Sequence, residues 1–472
     1  MRLLPSVTPT PEQLKVLADV KPGFRIIRGA AGSGKTTTAL LRLQSQVAVR
    51  LNRRRRHRDD APVRVLVLTF NRTLEGYIAE LARRSTPDDD ALELEICTFA
   101  RWARSLVGGL SVLGREQAAA MLRPHLAAMV PAGRRDFFVD EVGYVLGRFA
   151  PGSLSDYLDV IREGRGKAPR VGRRLRQRLL DDVLPAYEAA KTERGRIDWN
   201  DLALLAADAE PDRLYDIVIV DEAQDFSANQ VRAVKRHLHD QHTTTFVLDA
   251  VQRIYPQFFR WSEVDIPARP ENIHTLRENY RNTVAIAAFA RPLVEGIDVE
   301  DDGTLPDFAA CHRRGEKPLV VAGRYSEQLR VMLDQLERTA NLDSESVAIL
   351  QPRGGGWFDE ARRVLRRRGI GFCELTRENE WPSGPENVAL CTIHSAKGLE
   401  FDHVLLPGLS RQVTPHGPDE GDAELERLQR MLAMAVGRAR ESVMLGYKPG
   451  EESSLIGLLD RATYELIEAG KS

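Results

Sequence analysis

The run Gly29-Ala30-Ala31-Gly32-Ser33-Gly34-Lys35-Thr36 fits the spacing G-x-x-x-x-G-K-[ST]. Glycines so placed let successive backbone N–H groups curl around phosphate oxygens, and a helix start behind them favours negative charge. Lys35 would reach the β- and γ-phosphates, and the Thr36 hydroxyl suits Mg²⁺. A second cluster, Asp216 to Asp225, is an apolar stretch that ends in the carboxylate pair Asp221-Glu222. Beside a phosphate-binding loop, Asp221 suits the metal, and Glu222 suits orienting and deprotonating an attacking water. A third, Phe246 to Tyr255, delivers Gln252, a neutral donor and acceptor able to read a γ-phosphate or its water. The chemistry these residues imply is nucleoside triphosphate hydrolysis. They do not say what the hydrolysis drives.

Such groups need strands that end where ligands sit. The phosphate-binding run follows apolar Phe24–Ile27 and precedes helix-like Thr37–Leu43. Short β-rich runs recur at Arg25–Arg28, Val63–Thr69, Leu94–Thr98, Ile217–Asp221 and Thr245–Asp249. A second set is Leu319–Ala322, Ser346–Gln351, Val388–Thr392, His403–Pro407 and Glu441–Gly446. Alternation with helical patterns predicts an α/β fold with two parallel sheets covered by helices. Between Trp102 and Arg196 strand signals vanish and helical periodicity dominates, which predicts a helical insertion in the first α/β domain. The expected division is 1–105 with 197–275, then 106–196 for the insertion, then 276–472.

With 472 residues, 43% hydrophobic and 29% charged, the composition is that of a soluble globular protein with sizeable cores. Its apolar runs fall short of the ~18 residues of a membrane span, and Met1 to Pro5 lacks a signal-peptide apolar region, so no membrane partner is expected. Cys97, Cys311, Cys373 and Cys391 are scattered without C-x-x-C spacing and read as free thiols in a reducing cytoplasm. The net charge of −1 is neutral on nucleic acid. Basic runs at Arg50–Arg58, Arg162–Arg178 and Arg362–Arg368 are either solvated faces or phosphate-tracking surfaces. His237, His239 and His242 have the density of a metal site, but read as a solvated connector between a helix and a strand.

In their order, these motifs resemble the UvrD/Rep branch of superfamily 1 helicases, over residues 8 to 446. Thr10-Pro11-Glu12-Gln13 is similar to the family's adenine-reading Q motif. Leu66 to Asn71 resembles motif Ia, Thr98-Phe99 with Trp102 motif Ib, and Asp221-Glu222-Ala223-Gln224-Asp225 motif II. Leu276 to Asn282 resembles motif IV, Thr392 to Asp402 motif V, and Arg430 to Arg440 motif VI. The resemblance implies two RecA-like domains with ATP between them and a 1B-like helical insertion. It implies that Gln13, the loop from Gly29 to Thr37, Tyr280, Gly398 and Glu400 hold ATP, with Tyr280 on adenine and Glu400 on ribose. Thr36 and Asp221 would hold Mg²⁺. Lys35, Glu222, Gln252, Arg281 and Arg438 would act on the phosphates, the two arginines coming from the second domain. Thr69, Phe70, Asn71, Thr98, Phe99, Tyr255, Thr392 and His394 would meet nucleic acid. The family's stacking tryptophan position is Gln257 here, so Trp261 either takes that role or packs in the core.

Two departures stand out. Motif VI has Ala433 and Gly437 where the family shows an aromatic residue and a threonine. Residues 282–391 leave room to complete a second RecA-like domain but not for the large 2B accessory domain. The implied activity is ATP-driven 3′→5′ movement on single-stranded or tailed duplex DNA. The alternative is a motor or sensor subunit that passes a signal to a nuclease or effector protein.

Overall fold

A computed structural model describes residues 9–29, 32–58, 60–69, 72–85, 89–162, 169–248, 259–296, 311–375, 381–417 and 422–470. The first sheet contains β1 (Gly23–Gly29), β2 (Val63–Thr69), β3 (Leu92–Thr98), β4 (Tyr215–Val220), β5 (Leu238–Leu248) and β6 (Ile273–Leu276). Its order is β3-β2-β4-β5-β1-β6, with parallel pairing throughout. β4 is buried along its whole length, and β2 nearly so, which is why both read as continuous apolar runs. Helices α1 (Pro11–Ala18), α2 (Lys35–His57), α3 (Arg72–Ser85) and α4 (Phe99–Val107) flank this sheet. α2 buries Leu40, Leu43, Val47 and Leu51, a spacing of three and four that keeps one stripe inward.

The helical insertion holds α5 (Arg115–Ala127), α6 (Arg135–Arg148), α7 (Arg173–Arg178) and α8 (Leu184–Glu193). It has a core of its own, including Leu126, Phe138, Tyr144, Tyr157 and Tyr187. The chain then returns through α9 (Trp199–Asp208) and α10 (Ala228–Arg236). Asn229 of α10 donates to Leu146 O and Phe149 O at 2.8 and 3.0 Å, and Arg148 grips Glu263 through two bonds of 2.8 Å. These bonds seat the insertion on the first sheet's helical layer.

A short parallel pair, β7 (Asn279–Thr283) and β8 (Cys311–Arg313), leads into the second half, with α11 (Val284–Val294) following β7. The second sheet contains β9 (Leu319–Ala322), β10 (Val347–Gln351), β11 (Phe372–Glu374), β12 (Val388–Thr392), β13 (Phe401–Leu406), β14 (Ala439–Tyr447) and β15 (Glu465–Glu468). Its order is β11-β12-β10-β13-β14-β9-β15, again parallel. Helices α12 (Tyr325–Thr339), α13 (Asp359–Arg368) and α14 (Ala423–Val436) complete this half. Every segment expected as a strand carries strand residues, and the two-sheet α/β architecture is as predicted.

The basic runs are largely scaffolding. Arg50 and Arg54 pair with Asp216 at 3.3 and 2.8 Å, tying the end of α2 to the start of β4. Arg162 grips the buried Glu141 at 2.6 Å, and Arg176 donates to Tyr157 O and Val160 O. Arg362 pairs with Glu374, and Arg368 with Asp334 and Glu337. The histidine-rich segment corrects the connector reading. His237 is buried, packs edge-on against Trp102 at 5.1 Å and faces Ala233 O, while β5 begins at Leu238. No group of three potential metal ligands occurs among the described residues.

Candidate ATP site and nucleic acid interface

β1 ends at Gly29 and α2 starts at Lys35, so the glycine run is the turn between them. Gly34 is the N-cap of α2 at φ 74°, and a Cβ there would lie 2.6 Å from Gln13 Nε2. Only glycine keeps this cradle open. Lys35 Nζ donates to Gly29 O at 2.8 Å, spanning the turn. Gln13 sits behind the loop: its Oε1 accepts from Thr10 N at 3.0 Å, and its Nε2 donates to Ser33 O at 3.4 Å. Ala30, Ala31, Phe70, Asn71, Gln252 and Tyr255 lie outside the described residues.

β4 lies two strands from β1 and delivers Asp221 and Glu222 to the same edge. Thr36 Oγ1 donates to Asp221 Oδ2 at 3.1 Å. A hydroxyl and a carboxylate oxygen at this separation are the hard donors that Mg²⁺ takes, so the residues fit the metal. Burial, and then repulsion from Glu222, push the Asp221 carboxyl up to about 7. For Glu222, burial opposes the charge, but Lys397, then Arg438 and Lys35, outweigh it and hold the carboxyl below its ordinary value. Neighbouring carboxylates are thus driven apart, and the one suited to accept a proton stays ionised. Glu222 also holds φ 53°, a left-handed conformation that costs a non-glycine residue on the order of 1–3 kcal/mol. Gln224 Nε2 donates to Glu222 Oε2 at 2.5 Å and fixes its aim.

The far wall comes from the second half of the chain. Arg281 lies on β7 and donates to Gly437 O at 3.2 Å and to Glu400. Its Nε is buried with no hydrogen-bond partner among the described residues. Arg438 is buried and donates to Leu399 O at 3.3 Å. Tyr280 N donates to Gly32 O at 3.1 Å, which stitches β7 to the phosphate-binding loop. Gly32, Gly34, Lys35, Thr36, Thr37 and Glu222 face Arg281, Gly398, Glu400 and Arg438 across an open cleft of about 350 Å³. Ten residues expected at an ATP site are thereby brought to one cavity. Glu400, expected on ribose, is here the partner of Arg281, which, after the opposing effect of burial, is the main cause of its lowered pKa.

Sequence reasoning missed a second link across the cleft. Lys397 is 1% exposed and reaches Asp225, also 1% exposed, with Glu222 at 3.6 Å. Both residues stand inside the motifs that were read, but nothing in either motif shows that they meet. Asn282, also unassigned, donates to Gly437 O and Ala439 O. α3 adds apolar contact: Leu74 and Ile78 share a buried cluster with Ile393, Ala396 and Leu399, and Tyr77 meets Trp381 edge-on at 5.1 Å.

The nucleic acid assignments divide. Thr392 is the last residue of β12 and His394 lies in the turn that follows, where Thr392 Oγ1 bonds Ser395 Oγ at 2.9 Å. Burial, then Arg427, Lys397 and Arg115, lower the His394 pKa to about 4, so its ring is neutral at pH 7. Thr69 and Thr98 are buried, and Thr98 caps α4. Phe99 is corrected to a core residue, packed on Trp102 and Phe226 at 5.6 and 5.9 Å. Trp261 is likewise core: it is 7% exposed, with Phe246 at 5.0 Å and Phe259 at 5.5 Å. A base has no access to either ring.

Two parallel-sheet domains with a phosphate-binding loop on one and arginines from the other define a two-domain RecA-like P-loop protein. The UvrD/REP helicase N-terminal domain family matches residues 160–280, and the UvrD-like helicase C-terminal domain family matches 372–449. Both matches are to UvrD-like helicase domains and support a UvrD/Rep-like helicase of superfamily 1. It is 36% identical over 73 residues to the ATP-dependent DNA helicase PcrA of Bacillus subtilis, covering 15% of this chain and 10% of that protein. Against the ATP-dependent DNA helicase UvrD2 of Mycobacterium tuberculosis it is 36% identical over 94 residues, 18% of this chain and 13% of that one. Against the RecBCD enzyme subunit RecB of Mycolicibacterium smegmatis it is 27% identical over 212 residues, 39% of this chain and 19% of that one. The alignments therefore take in a fifth or less of these relatives.

Proposed function

We propose that this chain hydrolyses ATP between its two RecA-like domains and couples the hydrolysis to 3′→5′ movement along single-stranded DNA. The supporting observation is the single cleft whose walls come from both halves, with Lys35 and Glu222 on one side and Arg281 and Arg438 on the other. The reading takes 1–105 with 197–275 as the first domain, 106–196 as the insertion and 276–472 as the second domain. Thr36 and Asp221 would hold Mg²⁺, which offsets phosphate charge when bound. Glu222, ionised and aimed by Gln224, accepts the proton of the attacking water. Lys35 leaves Gly29 O for the phosphates. Arg281 and Arg438 stabilise charge on the γ-phosphoryl oxygens, and because they come from the second domain, hydrolysis requires closure. Direction rests on the family resemblance alone.

ATP turnover should be measured without polynucleotide and with single-stranded DNA, duplex DNA and RNA, at two salt concentrations. Stimulation by single-stranded DNA that weakens with salt is expected. Turnover indifferent to single-stranded DNA refutes the reading.

A second reading, a motor or sensor subunit acting on a nuclease or effector partner, draws on the interval from Arg281 to Thr392. Its described strands all join the short β7–β8 pair or the second sheet, leaving no separate domain there among the described residues. Strong unwinding of a tailed duplex by the isolated chain would count against it.

A further inference from the structure

We propose that Trp357 is a base-stacking platform for single-stranded DNA on the second domain. The inference rests on the function proposed above and names a residue of that strand-binding surface. β10 ends at Gln351, and the turn that follows lies at the same sheet edge as the turn after β12, because the strands are parallel neighbours with Gln351 opposite Thr392. Ile393 N donates to Gln351 O at 2.9 Å, and a Cβ on Gly354 would stand 3.2 Å from Thr392 Cγ2. The turn therefore abuts Thr392, one of the positions carried over as a DNA contact.

Its two aromatic residues have opposite fates. Phe358 is fully buried beside Ala361 and Leu365, whereas Trp357 is 36% exposed. Three glycines precede Trp357, and Gly355 holds φ 72°, so the indole rises from a thin turn without side chains that would shield it. Single exposed apolar residues are ordinary on protein surfaces. This one stands at the edge where the strand is expected, with the exposed Arg353 four residues before it in the same turn. On the first domain, two of the aromatics expected to meet the strand, Trp261 and Phe99, are core. Every base has a π-face, so stacking on an indole grips a strand without reading its sequence.

The test is binding of the full chain to a fluorescent oligo(dT) and to an abasic oligonucleotide of equal length, followed by anisotropy. Trp357→Ala should weaken oligo(dT) binding by about 5- to 150-fold, and Trp357→Phe should restore most of the loss. Wild type should bind the abasic strand less well than oligo(dT), and Trp357→Ala should lose that discrimination. Thermal melting of both variants checks their folding. Wild-type binding with Trp357→Ala unchanged overturns this inference alone, as does an equal loss on both strands. Failure of the wild-type chain to bind oligo(dT) at all overturns the proposed function as well.

Discussion

The buried pair Lys397–Asp225 gives a sharp test of how the two domains are held. Both residues are 1% exposed, and they come from opposite sides of the cleft. Replacing Lys397 with Met removes the cation and leaves Asp225 buried beside Glu222, whose charge Lys397 also offsets. Removing one partner of such a pair costs about 3–5 kcal/mol. Opening the cleft returns Asp225 to water, so the loss should appear as opening rather than as unfolding of either domain. At about 1.4 kcal/mol per tenfold, opening becomes roughly a hundredfold to several thousandfold more frequent. Hydrogen exchange of residues 221–226 and 393–401, measured by mass spectrometry, reads this directly. The double variant Lys397→Met/Asp225→Leu should regain most of the protection, because an apolar pair of similar volume has no charge to strand. A single variant that changes exchange less than about fivefold would mean the pair is worth no more than a solvated one. A double variant no better protected than the single would likewise refute the reasoning.

Arg281→Ala should lower kcat for ATP by about 10³–10⁵, the range for an arginine that meets transferring phosphoryl oxygens; steady-state kinetics check it. Trp261→Ala should destabilise the first domain by about 3–5 kcal/mol, as expected of a core indole and not of a strand-facing one; urea titration measures it. His242 packs on Phe24 at 4.7 Å, and burial, then Arg50, lower its pKa to about 4. The unfolded chain therefore binds the proton more readily than the native one between about 6.5 and 4. Stability present above pH 6.5 should fall as pH drops through that window, and His242→Phe should flatten the fall in melting temperature.

What was legible in the sequence follows from locality. Strands buried on both faces appear as apolar runs, and the phosphate-binding loop is contiguous, so β1, β2, β4 and the Lys35 cradle could be placed from sequence alone. Short edge strands such as β11 and β15 have little burial to pattern them and left no signal. Lys397 meeting Asp225 is a contact between segments far apart in the chain, and only the docking of two domains creates it. Trp261 shows the converse difficulty: an aromatic just beyond a motif has the same letter whether it faces a strand or Phe246. The basic runs misled in a similar way, since Arg50, Arg54, Arg162 and Arg176 point at partners that sequence spacing does not display.

The cations of the far wall are not waiting unpartnered for a triphosphate. Arg281 is held by Glu400, and Lys397 by Asp225 and Glu222. On the proposed reading, ATP would enter by exchange, its phosphates replacing a carboxylate as the partner of Arg281. The net gain is then the difference between two charge-assisted pairings, much smaller than either alone. A small difference suits a motor, because a site that bound its nucleotide with the full strength of two arginines and a lysine would release product slowly. It also gives strand binding leverage. A single strand lying against Thr392 and His394 touches the same turn that carries Lys397 and Gly398. On the proposed reading, a shift of that turn would change which carboxylates the cations meet, and would so tie strand occupancy to the chemistry of a cleft walled by both halves of the chain.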